Sequence, residues 1–191
     1  MDPGRCHRPR RIQRRALVKL IDWASSGEER TLYASSEARS QAISALAALP
    51  REELIGELRE SARNFAEQAQ RLGGELAAPE VQVSGKTIPA TSIVALRIAE
   101  VVVHHHDLNT AWTLEEADPD SLLNALEAVV RSLRAKGAPG MTLVTEERDE
   151  WVIGDGGLHV VSDREGLLQW LARGDAENID VDGPVPALPS W

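Results

Sequence analysis

Apolar positions recur at helical spacing through most of the first 136 residues. Leu17, Leu20, Ile21 and Ala24 form the first such stripe, which Gly27 ends. Repeated along the chain, this periodicity predicts helices over 16–26, 36–48, 51–72, 91–112 and 119–136. The intervening stretch PEVQVSGKTIPA differs, because its glycine and prolines favour an irregular or short extended connection.

The pattern changes after Gly137, where apolar and polar residues begin to alternate. Residues 141–145, 150–153 and 158–161 are predicted to form two or three antiparallel strands, with the glycine-rich GDGG as a turn. A short helix follows over 163–173, and then one more strand and a proline-rich tail.

This change of pattern divides the chain into three parts. We expect an anomalous basic head over 1–15, a helical domain over 16–137 and a small α+β domain over 138–191. The predicted fold class is therefore α+β.

Charge separates the head from the rest of the chain. Residues 1–15 contain six arginines and one aspartate, a net of +5, so the total of −9 leaves −14 for the remaining residues. An acidic body argues against nucleic acid and anionic membranes as partners. The head contains no apolar core of a secretory signal, no apolar run is long enough for a membrane helix, and the single cysteine fits a cytoplasmic protein.

The segment EVVVHHHDL at 100–108 carries the strongest chemical signal. Glu100 and His104 are four residues apart, so on a helix they project to one side, as suits a divalent metal such as zinc. Asp107 is a third ligand, an acceptor for a histidine N–H, or part of the helix surface. The alternative interpretation of this spacing is a salt-linked or solvated helix face.

Other candidates are more isolated. His7 and His159 are the remaining histidines, and His159 in an apparent strand favours a structural role. Arg173 is predicted to stabilise a helix C-terminus or, in a catalytic role, to bind an anion facing the cleft. The five tryptophans are expected mainly in packing.

Three separated segments of the chain resemble parts of a known family. They are ALVKLIDWASSGEERTLYASSEARSQAI (16–43), LRIAEVVVHHHDL (96–108), and a tail containing GDGG, SDREGLLQWLARGD and GPVPALPSW. In this order they resemble the mycothiol-dependent maleylpyruvate isomerase family over roughly residues 16–191.

The resemblance implies a DinB-like four-helix bundle, whose first helix has no counterpart here, followed by a small α+β domain. It implies a divalent metal, zinc, held by Glu100, His104 and a histidine from an early helix. That histidine's position falls on Pro9, and His7, two residues away, is the candidate third ligand.

The resemblance also implies an activity. Mycothiol would be the thiol cofactor and a small electrophile the substrate, with isomerisation of maleylpyruvate to fumarylpyruvate, or related thiol transfer, as the reaction. The departure before Ala16 supports an alternative: an inactive or truncated relative that acts as a non-catalytic interaction protein, with an apolar groove covered by a partner or by self-association. A nucleic-acid-binding module that uses the basic head is a third hypothesis.

Overall fold

The computed structural model describes residues 16–83, 85–108 and 110–191. The predicted basic head over 1–15 lies outside the described residues. The six α-helices of the described chain are α1 (Ala16–Ser26), α2 (Ser36–Ala47), α3 (Arg51–Ala69), α4 (Ser92–Asp107), α5 (Pro119–Ala135) and α6 (Arg164–Arg173). The strands are β1 (Glu80–Val83), β2 (Lys86–Pro89), β3 (Met141–Thr145), β4 (Glu150–Ile153), β5 (Leu158–Ser162) and β6 (Asp180–Val181). The fold class is α+β, as predicted.

The described chain divides into two compact units, one that ends at Ile93 and one over Val94–Trp191. In the first unit, α1 packs against α3 and β1 and buries Val18, Leu20, Ile21 and Ala24. Helix α2 begins as the sequence predicts, because the Ser35 side chain accepts a hydrogen bond from the Ala38 N–H. In the part of the chain that the structure describes, neither α2 nor α3 contains a buried residue.

The connection predicted to be irregular or short and extended is extended: β1 and β2 pair antiparallel in a hairpin, and Gly85 supplies the positive φ of 78° in its turn. The predicted end of the next helix is wrong. Helix α4 ends at Asp107 rather than near residue 112. Its last turn tightens, because the Leu108 N–H bonds to the His105 carbonyl three residues back.

The second unit contains a four-stranded sheet in the order β4-β3-β5-β6. Strand β3 pairs antiparallel with β4, and β5 pairs antiparallel with β6. The expectation that these strands are all antiparallel is wrong for one pair, because β3 and β5 run parallel, with Met141 opposite Leu158. The GDGG segment is a turn between β4 and β5. These two strands lie on opposite sides of β3, so the turn passes the start of β3 and does not form a hairpin.

The GDGG turn passes close to the backbone at Gly140, just before β3. A Cβ on Gly154 would lie 3.1 Å from the Gly140 Cα, and a Cβ on Gly140 would overlap the Asp155 side chain. A side chain at residue 154 would press on the Gly140 backbone and one at residue 140 would displace the Asp155 carboxylate, so glycine is favoured at both positions. The Thr142 hydroxyl then donates to the Gly156 carbonyl at 3.0 Å and secures the turn against β3.

One hydrophobic core fills the second unit. Helices α4, α5 and α6 and strands β3, β4 and β5 all contribute to it, and its largest buried side chains include Leu126, Leu133, Met141, Leu143 and Trp170. Because α5 shares this core with the sheet, the compact unit extends back beyond residue 138. The domain boundary near 138 stays a prediction, although the strands do begin where the sequence pattern changes.

None of the helices that the structure describes is both long and apolar enough to cross a membrane.

Candidate functional site

Glu100 and His104 lie one turn apart on the outer face of α4. The helix buries Ala99, Val102 and Val103 in the core, so the two polar side chains turn outward. The Glu100 and His104 side chains are 46% and 60% exposed, and His104 Nε2 lies 3.3 Å from Glu100 Oε2. The two groups therefore lie on one side of the helix, as their spacing predicts.

Asp107 contacts the other nitrogen of the same ring. Its Oδ2 lies 2.7 Å from His104 Nδ1, within hydrogen-bond distance. Of the three roles considered for Asp107, the structure shows a hydrogen-bond partner of the histidine. The His104 ring thus lies between two carboxylates, with Nε2 facing Glu100 and Nδ1 facing Asp107.

Arg173 donates two hydrogen bonds to the Asp107 carboxylate. Its Nε donates to Oδ1 at 2.8 Å and its Nη2 donates to Oδ2 at 2.7 Å. The remaining terminal nitrogen, Nη1, donates to the Ala172 carbonyl at 2.8 Å, in the last turn of α6. Arg173 thereby bonds a carbonyl at its helix C-terminus, as predicted, and its catalytic role in binding an anion stays a prediction.

The charges of this pair stabilise each other. The pKa of Asp107 lies well below its usual range, chiefly because Arg173 donates hydrogen bonds to the carboxylate, and the bond from His104 adds to the effect. The same contact raises the pKa of Arg173 above its ordinary value. Both residues therefore carry full charge at neutral pH.

Trp112 contacts His105, the neighbour of His104 in sequence, and Trp191 contacts Arg173. The His105 ring stacks on Trp112, with centroids 4.0 Å apart and an interplanar angle of 11°. The Arg173 guanidinium carbon lies 5.8 Å from the ring centroid of Trp191, a cation–π distance. His105 is thus directed away from the Glu100 and His104 pair, as the helical geometry predicts.

The other histidines do not join this group. His106 is partly buried on α4, and His159 is exposed on β5, where its backbone N–H bonds to Asp182. The predicted third ligand, His7, lies outside the described residues. Within the described residues, no group of three or more histidine, cysteine or acidic side chains could hold a metal ion.

The donor set at α4 nevertheless fits part of a metal site. An imidazole nitrogen and a carboxylate oxygen face each other in the open, and both atom types are zinc ligands. The opposite ring nitrogen already contacts a carboxylate, the arrangement that metal-binding histidines usually show. The described residues therefore offer two ligands and one supporting partner, and a third ligand has to come from elsewhere.

The sequence interpretation missed two of these contacts. The link between Asp107 and Arg173 joins residues 66 positions apart, so no local pattern indicates it. The stack of His105 on Trp112 was also missed, because the helix was expected to continue through residue 112. The three-residue spacing from His104 to Asp107 was the one local signal, and it gave Asp107 as a candidate partner.

Comparisons with known proteins agree on the fold. Two crystal structures of the mycothiol-dependent maleylpyruvate isomerase, one of them of a histidine-to-alanine mutant, match with a TM-score of 0.72 at 24% sequence identity. Each match covers 94% of this chain and 78% of the other. At that identity the likeness shows a shared fold. No curated protein sequence matches this chain.

The family comparison is more direct. The model of the mycothiol maleylpyruvate isomerase N-terminal domain matches residues 11–109, more than half of the chain. The matched segment includes Glu100, His104 and Asp107, and it ends before α5. The chain therefore belongs to the mycothiol maleylpyruvate isomerase family.

Proposed function

We propose that this protein is a mycothiol-dependent metalloenzyme that isomerises maleylpyruvate to fumarylpyruvate, or performs related thiol transfer on a small electrophile. The observation that carries the proposal is the pairing of Glu100 Oε2 with His104 Nε2 at 3.3 Å on an exposed helix face. Family membership supplies the reaction class, because the matched domain is named for mycothiol and maleylpyruvate.

Glu100 and His104 would hold a divalent metal, with zinc the first choice for an imidazole and a carboxylate. His7 is the proposed third ligand, from the part of the chain before the described residues. When bound, the metal would lower the pKa of a thiol and polarise a carbonyl, while mycothiol would supply the nucleophile for reversible addition to the double bond.

The chain's own residues set up this chemistry. Glu100 presents a carboxylate oxygen on the open face, beside His104 Nε2. Asp107 Oδ2 lies 2.7 Å from His104 Nδ1, and a proton on Nδ1 would leave Nε2 free to bind the metal. The positively charged Arg173 side chain lies beside them, with Nη2 2.7 Å from Asp107 Oδ2. Its proposed catalytic role is to bind an anionic group of the substrate.

The metal content of the purified full chain tests this proposal. We expect one zinc ion per chain in the parent and none in the Glu100→Ala/His104→Ala double variant, measured by elemental analysis. The matched control is the Glu177→Ala/His159→Ala double variant, which removes an exposed glutamate and an exposed histidine elsewhere and should retain the metal. A parent chain without metal would overturn the enzyme proposal.

A second measurement addresses the substrate. Metal-loaded protein is mixed with maleylpyruvate and mycothiol, and product formation is followed by absorbance. We expect isomerisation that depends on both the thiol and the metal and that the Glu100→Ala/His104→Ala variant lacks. If the metal-loaded protein transfers mycothiol to other electrophiles but leaves maleylpyruvate unchanged, its reaction is thiol transfer and not isomerisation.

The second candidate is a non-catalytic interaction protein. The observation that favours it is the exposure of large apolar side chains on α2 and α3, with Ile43, Leu54 and Leu58 at 48%, 41% and 61%. Exposed apolar side chains mark interaction surfaces where they form a patch, and Leu54 and Leu58 lie one turn apart on α3. Absence of metal from both the parent and the double variant would favour this candidate over the enzyme.

A further inference from the structure

Asp107 connects His104 to Arg173 through a single carboxylate. Three contacts of hydrogen-bond length converge on it: His104 Nδ1 lies at 2.7 Å, and Arg173 donates from Nε at 2.8 Å and from Nη2 at 2.7 Å. A carboxylate held by both arms of a guanidinium fork has a fixed orientation. Oδ2, the oxygen that contacts the histidine, is therefore locked in place by Arg173.

The distances at the two ring nitrogens indicate which of them carries the proton. The contact at Nδ1 has ordinary hydrogen-bond length, whereas the contact from Nε2 to Glu100, at 3.3 Å, is longer than the usual range. In the neutral ring only one nitrogen is a donor. The shorter contact favours a proton on Nδ1, which leaves the lone pair of Nε2 directed toward Glu100.

We propose that Asp107 is a positioning residue that fixes His104 in the Nδ1-protonated tautomer, and that Arg173 acts through Asp107 by holding its carboxylate. The benefit of this tautomer rests on the proposed function, because a metal would bind His104 through the lone pair of Nε2. The tautomer itself is a property of the metal-free chain and is testable without metal.

A second ion pair in the same unit provides a matched control. Arg164 forms the same kind of bidentate pair with Asp149, with Nε 2.6 Å from Oδ2 and Nη2 3.0 Å from Oδ1. In place of an imidazole, the Thr145 hydroxyl donates to Oδ2 at 2.9 Å. Replacing Asp149 removes a comparable pair but no contact to His104.

Nitrogen-15 NMR of the imidazole in the metal-free full chain measures the tautomer directly. Spectra are recorded about 2.5 pH units above the ordinary histidine pKa of ~6.5, where the free ring is neutral. The His104→Gln variant identifies the resonances. In the parent we expect the proton on Nδ1, and a parent with the proton on Nε2 would overturn the proposal before any variant is made.

The variants then assign the cause. Asp107→Ala should move the proton to Nε2, where Glu100 remains as an acceptor, and Asp149→Ala should leave it on Nδ1. Arg173→Lys keeps the positive charge but loses the fork, so we expect a mixture of tautomers. A ring that stays protonated on Nδ1 in Asp107→Ala would refute the role of Asp107, and an unchanged ring in Arg173→Lys would refute that of Arg173.

Zinc titration separates this inference from the proposed function. If the parent binds zinc, Asp107→Ala should weaken binding by about 10- to 100-fold, as loss of a ligand's hydrogen-bond partner typically does. Asp149→Ala should bind as the parent does. A parent that shows the Nδ1 tautomer and binds no zinc would refute the proposed function while leaving the positioning role of Asp107 intact.

Discussion

Truncation of Leu126 in α5 should destabilise the C-terminal sheet as well as the helix. Leu126 is fully buried and belongs to the core that contains Leu143 of β3 and Trp170 of α6. A leucine-to-alanine change in a core costs about 2–5 kcal/mol, since the transfer energy of the lost atoms and the cavity both contribute. We expect a loss of about 3 kcal/mol in the free energy of unfolding.

Urea unfolding followed by tryptophan fluorescence measures this loss. In a Trp23→Phe/Trp112→Phe background, the remaining tryptophans all lie after residue 138 and report only on the C-terminal part. With a urea m-value of about 2 kcal/mol/M, the loss lowers the midpoint by about 1.5 M.

Leu108→Ala is the matched control. Its side chain is 69% exposed, so the same chemical change should alter stability by about 0.5 kcal/mol or less. If Leu126→Ala left the fluorescence midpoint of the C-terminal tryptophans unchanged, α5 and the sheet would not share one cooperative core. The chain would then divide near residue 138, as the sequence pattern predicts.

Four further predictions concern the Asp149 ion pair, the two ends of α6 and the metal. Asp149→Ala should cost about 2 kcal/mol in urea unfolding, because the partly buried Arg164 guanidinium loses both hydrogen bonds. Arg164 also lowers the pKa of Asp149, so the stability from this pair is complete above pH ~4, the unfolded value, and is lost as the pH falls further. Acid titration of the urea midpoint should therefore be shallower below pH ~4 in Asp149→Ala than in the parent. Asp163→Ala removes the cap of α6 that accepts from the Gly166 N–H and should lower stability by about 1 kcal/mol. Gly174→Ala should cost about 1 kcal/mol in thermal unfolding, since φ is 79° there. A chelator should lower the unfolding temperature of metal-loaded parent but not of Glu100→Ala/His104→Ala.

Helix ends were largely predictable, because the residues that determine them are adjacent in sequence. Pro119 begins α5, and Asp118 caps it by accepting from the Ser121 N–H. Gly174 ends α6 in the left-handed conformation that glycine adopts most readily. The exception is α4, where the valine and histidine run gave no stop signal before Asp107.

The part of the candidate site that lies on α4 was predictable, because its residues are close together in sequence. Glu100 and His104 lie within one helical turn, so their spacing alone places them together. Arg173 was a candidate by itself, but its grip on Asp107 depends on where the ends of α4 and α6 meet. No pattern within either helix contains that information.

Sequence alone determined most of the secondary structure and the face of α4 that carries the polar pair. These features depend on periodicity and on capping contacts that span three or four residues. Tertiary structure decided the parallel pairing of β3 with β5, the inclusion of α5 in the core of the sheet, and the link from Asp107 to Arg173. Each of these joins segments far apart in the chain. Such contacts depend on how side chains fill a shared core and how closely two backbones can approach, and neither is written in a local pattern.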